Sequence, residues 1–255
     1  PLSIHPEVGF HTYIIPSKNI SNDLFLFFEK DKKYIFVLCD NYKKGSSTSN
    51  LLTLLYFLIE DCIKRFIDFG LKDCLDNIRK MLVELKVEES IGLTLGLLSI
   101  EEKTLNYICA GNFNPIYLNK QNKIKNLNPK LINQPISTDS EENQFTIEKI
   151  LLNDIKKILF FTDGLIEYDH TLGKDIDYKV IELMLSHNIK KGVDYFINHK
   201  NEGLSKNDAT LFGINLMDTY KEEIHISTGI NIDLITNQFL SKLKEYDFDS
   251  KLINK

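Results

Sequence analysis

No apolar run in this chain reaches the roughly 18 residues needed to cross a bilayer. The longest, residues 51–59, carries Thr53 and is followed at once by Glu60 and Asp61, so no membrane span is expected in this fragment. Cysteine is scarce, and Cys39, Cys62, Cys74 and Cys109 share no short paired spacing. The six histidines are scattered as well, so the close pairs that a zinc site needs are missing. Cys39 and Cys109 lie in strand-like apolar runs, which predicts buried free thiols. Positive charge is also short. The formal net charge is −5 with no dense basic face to offset it, which argues against a nucleic-acid binder. Internal repeats and low-complexity segments are absent. The N-terminus lacks the pattern of a signal peptide and begins at Pro1 rather than Met. The reading is a cytoplasmic domain cut from something longer.

What is present is ordinary globular composition. The chain has 255 residues, 43% apolar and 26% charged, enough for one large domain or two small ones. The stretch that organises it is residues 157–167. Ile158 to Thr162 are apolar, aromatic or β-branched, the composition of a strand buried on both faces. The run stops at Asp163-Gly164, a pair that turns the backbone sharply. A carboxylate at the end of a rigid buried strand is well placed to hold a metal or a reacting group.

Other carboxylates occupy similar places. Residues 8–15, 23–28 and 33–40 read as strands, with the charged residues 29–32 as a hairpin connection. Asp23 opens one strand and Asp40 closes the next, so antiparallel pairing sets them side by side. Residues 46–49 are rich in helix-capping types. They precede an amphipathic helix over about 50–68, ended by Gly70, and a second follows over 72–85. From Ile91 the period returns to strands, at 91–100, 104–110, 115–119 and 123–127, read as an antiparallel meander with a tight turn at 109–115. Residues 128–142 read as a surface loop and 144–152 as a further strand. Helices over 178–187 and 192–201 form an insertion of the kind in which specificity is built. Residues 206–216 then return as a strand.

In this order the strand-end motifs resemble the metal-dependent PPM-type protein phosphatases, specifically the bacterial SpoIIE-like (RsbU-like) serine phosphatases. Phe161-Thr162-Asp163-Gly164-Leu165-Ile166-Glu167 matches the family's Phe-[Thr/Tyr]-Asp-Gly-x-x-Glu in full. Ser21 to Leu26 matches the first motif at the metal-binding Asp23. Asp40 to Gly45 matches the second at its two ends. Cys109 to Pro115 matches the Asn-Ala-Gly-His-Asn-Pro turn with an extra residue and no His. Asn207-Asp208-Ala209-Thr210 matches the closing Asp-Asp-x-Thr with Asn in place of the first Asp. The resemblance spans about residues 8–217. It implies an α+β fold, a four-layer α-β-β-α sandwich of two antiparallel sheets flanked by helices, with the phosphatase domain over 1–220.

The resemblance also implies chemistry. A phosphomonoester is inert, and two Mn²⁺ or Mg²⁺ ions can activate a bridging water and neutralise the phosphoryl oxygens; such cations take oxygen ligands. By resemblance Asp40 bridges both metals beside the Asn41 carbonyl, Asp23 binds one, and Asp163 and Asn207 bind the other, with Asp40 and Asp163 the central catalytic pair. The neutral Asn207 weakens one site, and the adjacent Asp208 serves as a ligand only if the strand register slips by one residue. Lys43 stands where the family has glycine, and with the bulk of Lys44 it alters the turn next to Asp40. The two lysines either grip a substrate phosphate or are solvated loop charges. The implied activity is hydrolysis of phosphoserine or phosphothreonine on a regulatory partner such as an anti-anti-sigma factor, with homodimerisation open. The competing reading is a pseudophosphatase that serves as a binding module. A covalent aspartyl phosphohydrolase fits less well, because Leu165 stands where its second acid belongs. Residues 221–255 read as a strand and an amphipathic helix. They are either similar to the opening of an anti-sigma-factor kinase domain or a terminal element docking on the sandwich.

Overall fold

The computed structural model describes residues 8–16, 21–41, 48–87, 89–112, 114–126, 134–137, 145–165, 176–199 and 207–216. The chain divides into two compact units, Pro1–Asp218 and Thr219–Lys255. The second unit, with the strand and helix expected there, lies outside the described residues, as do Lys43 and Lys44.

Among the described residues, ten strands form two antiparallel sheets. In chain order they are β1 (Val8–Ile15), β2 (Asp23–Lys30), β3 (Lys33–Asn41), β4 (Ile91–Ser99), β5 (Thr104–Ala110), β6 (Ile116–Asn119), β7 (Ile124–Asn126), β8 (Glu148–Leu151), β9 (Ile155–Phe161) and β10 (Ala209–Leu216). One sheet has the order β2-β3-β4-β5-β8 and the other β1-β10-β9-β6-β7. Two helices, α1 (Thr48–Phe66) and α2 (Leu71–Glu84), lie between β3 and β4, and two more, α3 (Ile176–Ser186) and α4 (Ile189–His199), between β9 and β10. Among the described residues, no helix is long and apolar enough to cross a membrane.

Side-chain alternation stacks these elements into four layers. On β3, Ile35, Val37 and Cys39 pack against Leu55, Ile59, Leu75 and Ile78 of α1 and α2. The intervening Tyr34, Phe36 and Leu38 face the other sheet, against Ile158 and Phe160 of β9 and Phe212 of β10. Residues Leu159 and Phe161 turn the opposite way, onto Val180, Met184 and Val193 of α3 and α4. Both sheets are therefore covered on both faces, which is why their central strands read as unbroken apolar runs. The inter-sheet core centres on Phe36, whose ring centroid lies 4.8 Å from that of Phe160 and 4.7 Å from that of Phe212. All four cysteines are free and buried. Burial raises their thiol pKa, to about 12 for Cys109 and about 11 for Cys62.

Three expectations change. The hairpin between β2 and β3 is tighter than residues 29–32. Both strands continue to a two-residue turn, Asp31 and Lys32, at φ 50° and 60°, because turns with two positive φ values match the twist of the flanking strands. The strands after Ile91 are not one meander. The β4–β5 hairpin is followed by Gly111 at φ 80°, which a side chain would resist, and the chain crosses to the other sheet, where β6 pairs with β7 and β9. The tight turn of the sequence reading is thus an inter-sheet crossing. The helices between β9 and β10 stand between two sheet strands as expected, and their apolar faces form the fourth layer. In the surface loop expected over 128–142, Ile136 is instead buried and bridges Ile91.

Candidate active site

β2 and β3 pair in a register that sets Asp23 directly opposite Asp40. Alternation assigns both to the inter-sheet face, since Asp23 is in phase with Phe25 and Asp40 with Leu38. The second sheet delivers its residues to the same end. Past the last paired residue of β9, Thr162 N–H donates to the Thr210 carbonyl at 2.9 Å, and the chain enters a 3-10 turn over Asp163–Leu165. The charge of Asp163 acts on both Asp23 and Asp40, and that of Asp208 on Asp23. Four carboxyls from β2, β3, the β9 end and the β10 start thus share one end of the inter-sheet cleft.

The turn there has a steric requirement. A Cβ on Gly164 would lie 1.8 Å from the Asp208 carbonyl oxygen and 3.1 Å from the Ala209 nitrogen. Only a glycine lets these backbones touch, so Asp-Gly does more than end a strand. Asp208 precedes β10, and its Oδ2 accepts the Asn22 N–H at 2.6 Å. Asn207 is half-buried beside it, its amide oxygen enclosed.

Buried acids in a cluster resist ionisation. Burial, then repulsion from Asp208 and Asp163, raises the Asp23 pKa to about 6, although the Thr210 and Thr162 hydroxyls, hydrogen-bonding its charged form, work the other way. Burial and the charges of Asp23 and Asp163 raise Asp40 to about 9. The Oδ2 atom of Asp40 is enclosed with no hydrogen-bond partner. An all-oxygen donor set, repelling itself and enclosing an unpartnered carboxylate oxygen, fits a hard divalent cation. Among the described residues, no group of three or more His, Cys, Asp or Glu side chains is placed to hold a metal ion. Asn41 ends β3, and Ile91 opposite it gives its amide and carbonyl to Ile136. The Asn41 carbonyl is therefore not engaged by β4.

Two polar residues escaped the sequence reading. Thr162, read there as a strand residue, is fully buried; its hydroxyl accepts the Thr210 N–H at 2.9 Å and donates to Asp23 Oδ2 at 2.9 Å. Asn112, which takes the place of the family's His, is also buried. Its Nδ2 donates to the Thr94 hydroxyl at 3.1 Å and to the Leu38 carbonyl at 3.4 Å, bracing β3 two residues before Asp40. The signal for both was their place in the quoted motifs, Asn112 in the turn that lacks the family's His.

The family model described as stage II sporulation protein E (SpoIIE) matches residues 30–216. No curated protein matches the chain. Among solved structures, the RsbU and RsbW domains of a Mycobacterium tuberculosis protein superpose with a TM-score of 0.68 at 16% identity, covering 83% of this chain and 60% of that one. RsbX in complex with magnesium gives 0.62 at 16% identity, covering 84% and 98%. The PP2C phosphatase domain of SpoIIE from Bacillus subtilis, with a fragment of its regulatory domain, gives 0.64 at 14% identity, covering 82% and 63%. The chain thus spans less than two thirds of the first and third of these, and at such identities the likeness is one of fold.

Proposed function

Because the chain belongs to the SpoIIE family, we propose that it is a metal-dependent serine/threonine protein phosphatase acting on a phosphorylated regulatory protein. The observation that carries this is the register pairing of Asp23 with Asp40, both under the influence of Asp163, at one end of the inter-sheet cleft. Asp23, Asp40, Asp163, the Asn41 carbonyl and the Asn207 amide oxygen would hold Mn²⁺ or Mg²⁺, with Asp208 held beside them by the Asn22 N–H. The cations would supply a water of lowered pKa and neutralise charge on the phosphoryl oxygens.

The chain's own part is positional. Asp40 lies within reach of both Asp23 and Asp163, and its Oδ2 is buried. The Gly164 contact fixes the distance from Asp163 to the start of β10. Lys43 and Lys44, which follow Asp40 in sequence, are assigned to the substrate phosphate. The partner class is a small anti-anti-sigma-like phosphoprotein. RsbU with RsbW among the similar structures, and RsbX holding magnesium, support the partner class and the cation. Residues 1–220 are taken as the phosphatase domain, 221–255 as a following strand and helix, and the setting as cytoplasmic with homodimerisation open.

Mn²⁺-dependent phosphate release from a phosphoserine protein, lost in Asp40→Ala and Asp163→Ala, is the expected result. Release indifferent to both substitutions refutes the assignment. Asn207 favours a second reading, a pseudophosphatase that binds partners but holds metal poorly. Two-site micromolar Mn²⁺ binding by calorimetry excludes it.

A further inference from the structure

At the site end the Thr162 hydroxyl links the two sheets, beside the Asn22–Asp208 bond. Thr162 Oγ1 accepts the Thr210 N–H at 2.9 Å and donates to Asp23 Oδ2 at 2.9 Å. These are different strands of different sheets, since Thr210 lies on β10 and Asp23 on β2. With the lone pair facing β10 taken by an amide, the hydroxyl proton has one direction left, toward the carboxylate. The geometry is closed off from solvent, as Thr162 and Thr210 are fully buried and Asp23 nearly so. Water cannot replace a lost partner there, and a buried group left unpaired carries its full desolvation penalty.

We propose that Thr162 is a positioning residue. Its hydroxyl fixes the orientation of the Asp23 carboxylate against the second sheet, so that the β2 side of the site and the β9–β10 side keep their spacing. One of the two Asp23 oxygens is bound to the hydroxyl, and the other is thereby aimed into the carboxylate cluster. The inference rests on reading that cluster as a cation site. It goes beyond that reading in giving a role to a residue that touches neither cation nor substrate. A hydroxyl is required rather than mere volume: valine matches threonine in shape yet neither donates to Asp23 nor accepts from Thr210. Serine preserves both bonds and loses only a methyl group.

Two measurements on the full chain test it. The first is a double-mutant cycle of Thr162→Val and Asp23→Ala in metal-free protein, read by urea denaturation. If the hydroxyl and the carboxylate act as a pair, the loss in the folding equilibrium constant for the double variant falls short of the product of the single losses by about fivefold or more. Multiplicative losses overturn the proposal. The second is Mn²⁺ titration by calorimetry. Thr162→Val raises the half-saturating concentration by about tenfold, the usual effect of removing a partner that orients a ligand, while Thr162→Ser stays within about twofold of wild type. Equal affinity of the Val variant and a metal-binding wild type overturns the proposal. A wild type that binds no Mn²⁺ defeats the cation reading of the site, and the cycle then decides the role of Thr162 alone.

Discussion

Raising the pH should destabilise this protein when it is free of metal, and a divalent cation should reverse the trend. The cause is the pair of buried acids at the site. A carboxyl that ionises near 3.8 in the unfolded chain and at about 6 in the native one binds more protons when folded at every pH between those values. Stability therefore falls as pH rises through that window. At 1.36 kcal/mol per pH unit, Asp23 alone removes about 3 kcal/mol once the pH is above both values. Roughly half of that develops between pH 5 and pH 8. Asp40, raised to about 9, acts with the same sign across the whole interval. The floor is thus a loss of about 1–2 kcal/mol from pH 5 to pH 8. In urea, with a denaturant dependence near the upper end for small proteins, that lowers the midpoint by about 0.5 M. Urea titration in a chelator at the two pH values, followed by circular dichroism, measures it. Asp40→Asn removes one of the buried charges and should flatten the slope. With Mn²⁺ the carboxylates are held ionised, so the stabilisation by metal should be larger at pH 8 than at pH 5. A metal-free midpoint that rises from pH 5 to pH 8, or a slope untouched by Asp40→Asn, refutes the reasoning.

Gly164→Ala places a methyl group 1.8 Å from the Asp208 carbonyl oxygen, and neither backbone can yield without opening the site. A loss of about 2–3 kcal/mol is expected, seen as a Tm lower by roughly 6–9 °C, together with weaker Mn²⁺ binding; a wild-type Tm contradicts the contact. Asn207→Asp adds a carboxylate at the start of β10. It should tighten Mn²⁺ binding by about tenfold or more, since ligand charge sets affinity for hard cations, while lowering metal-free stability at pH 8. Calorimetry and urea denaturation read the two effects, and unchanged affinity shows that Asn207 lies outside the metal's reach.

Much of this site was legible in the order of residues. Strand composition set Ile158 to Thr162 in the core, and antiparallel pairing across a short hairpin put Asp23 beside Asp40. Local signals suffice there, because period and turn chemistry act over a few residues. They fail at Gly111, where the same signals fit a hairpin and a crossing to the other sheet equally well. Only packing distinguishes the two.

The sequence by itself determined the strands, the helices and which acids end them, because each of these follows from neighbours along the chain. The tertiary structure decided what no local rule contains. The carboxylates of two sheets share one end of the cleft, Asp208 is tied there to the Asn22 amide, and Gly164 is required by a backbone 44 residues further along the chain. The Thr162 hydroxyl joins Asp23, 139 positions away, to Thr210. Hydrogen bonds and close contacts of this kind depend on how the sheets stack, and the stacking is set by the whole core together.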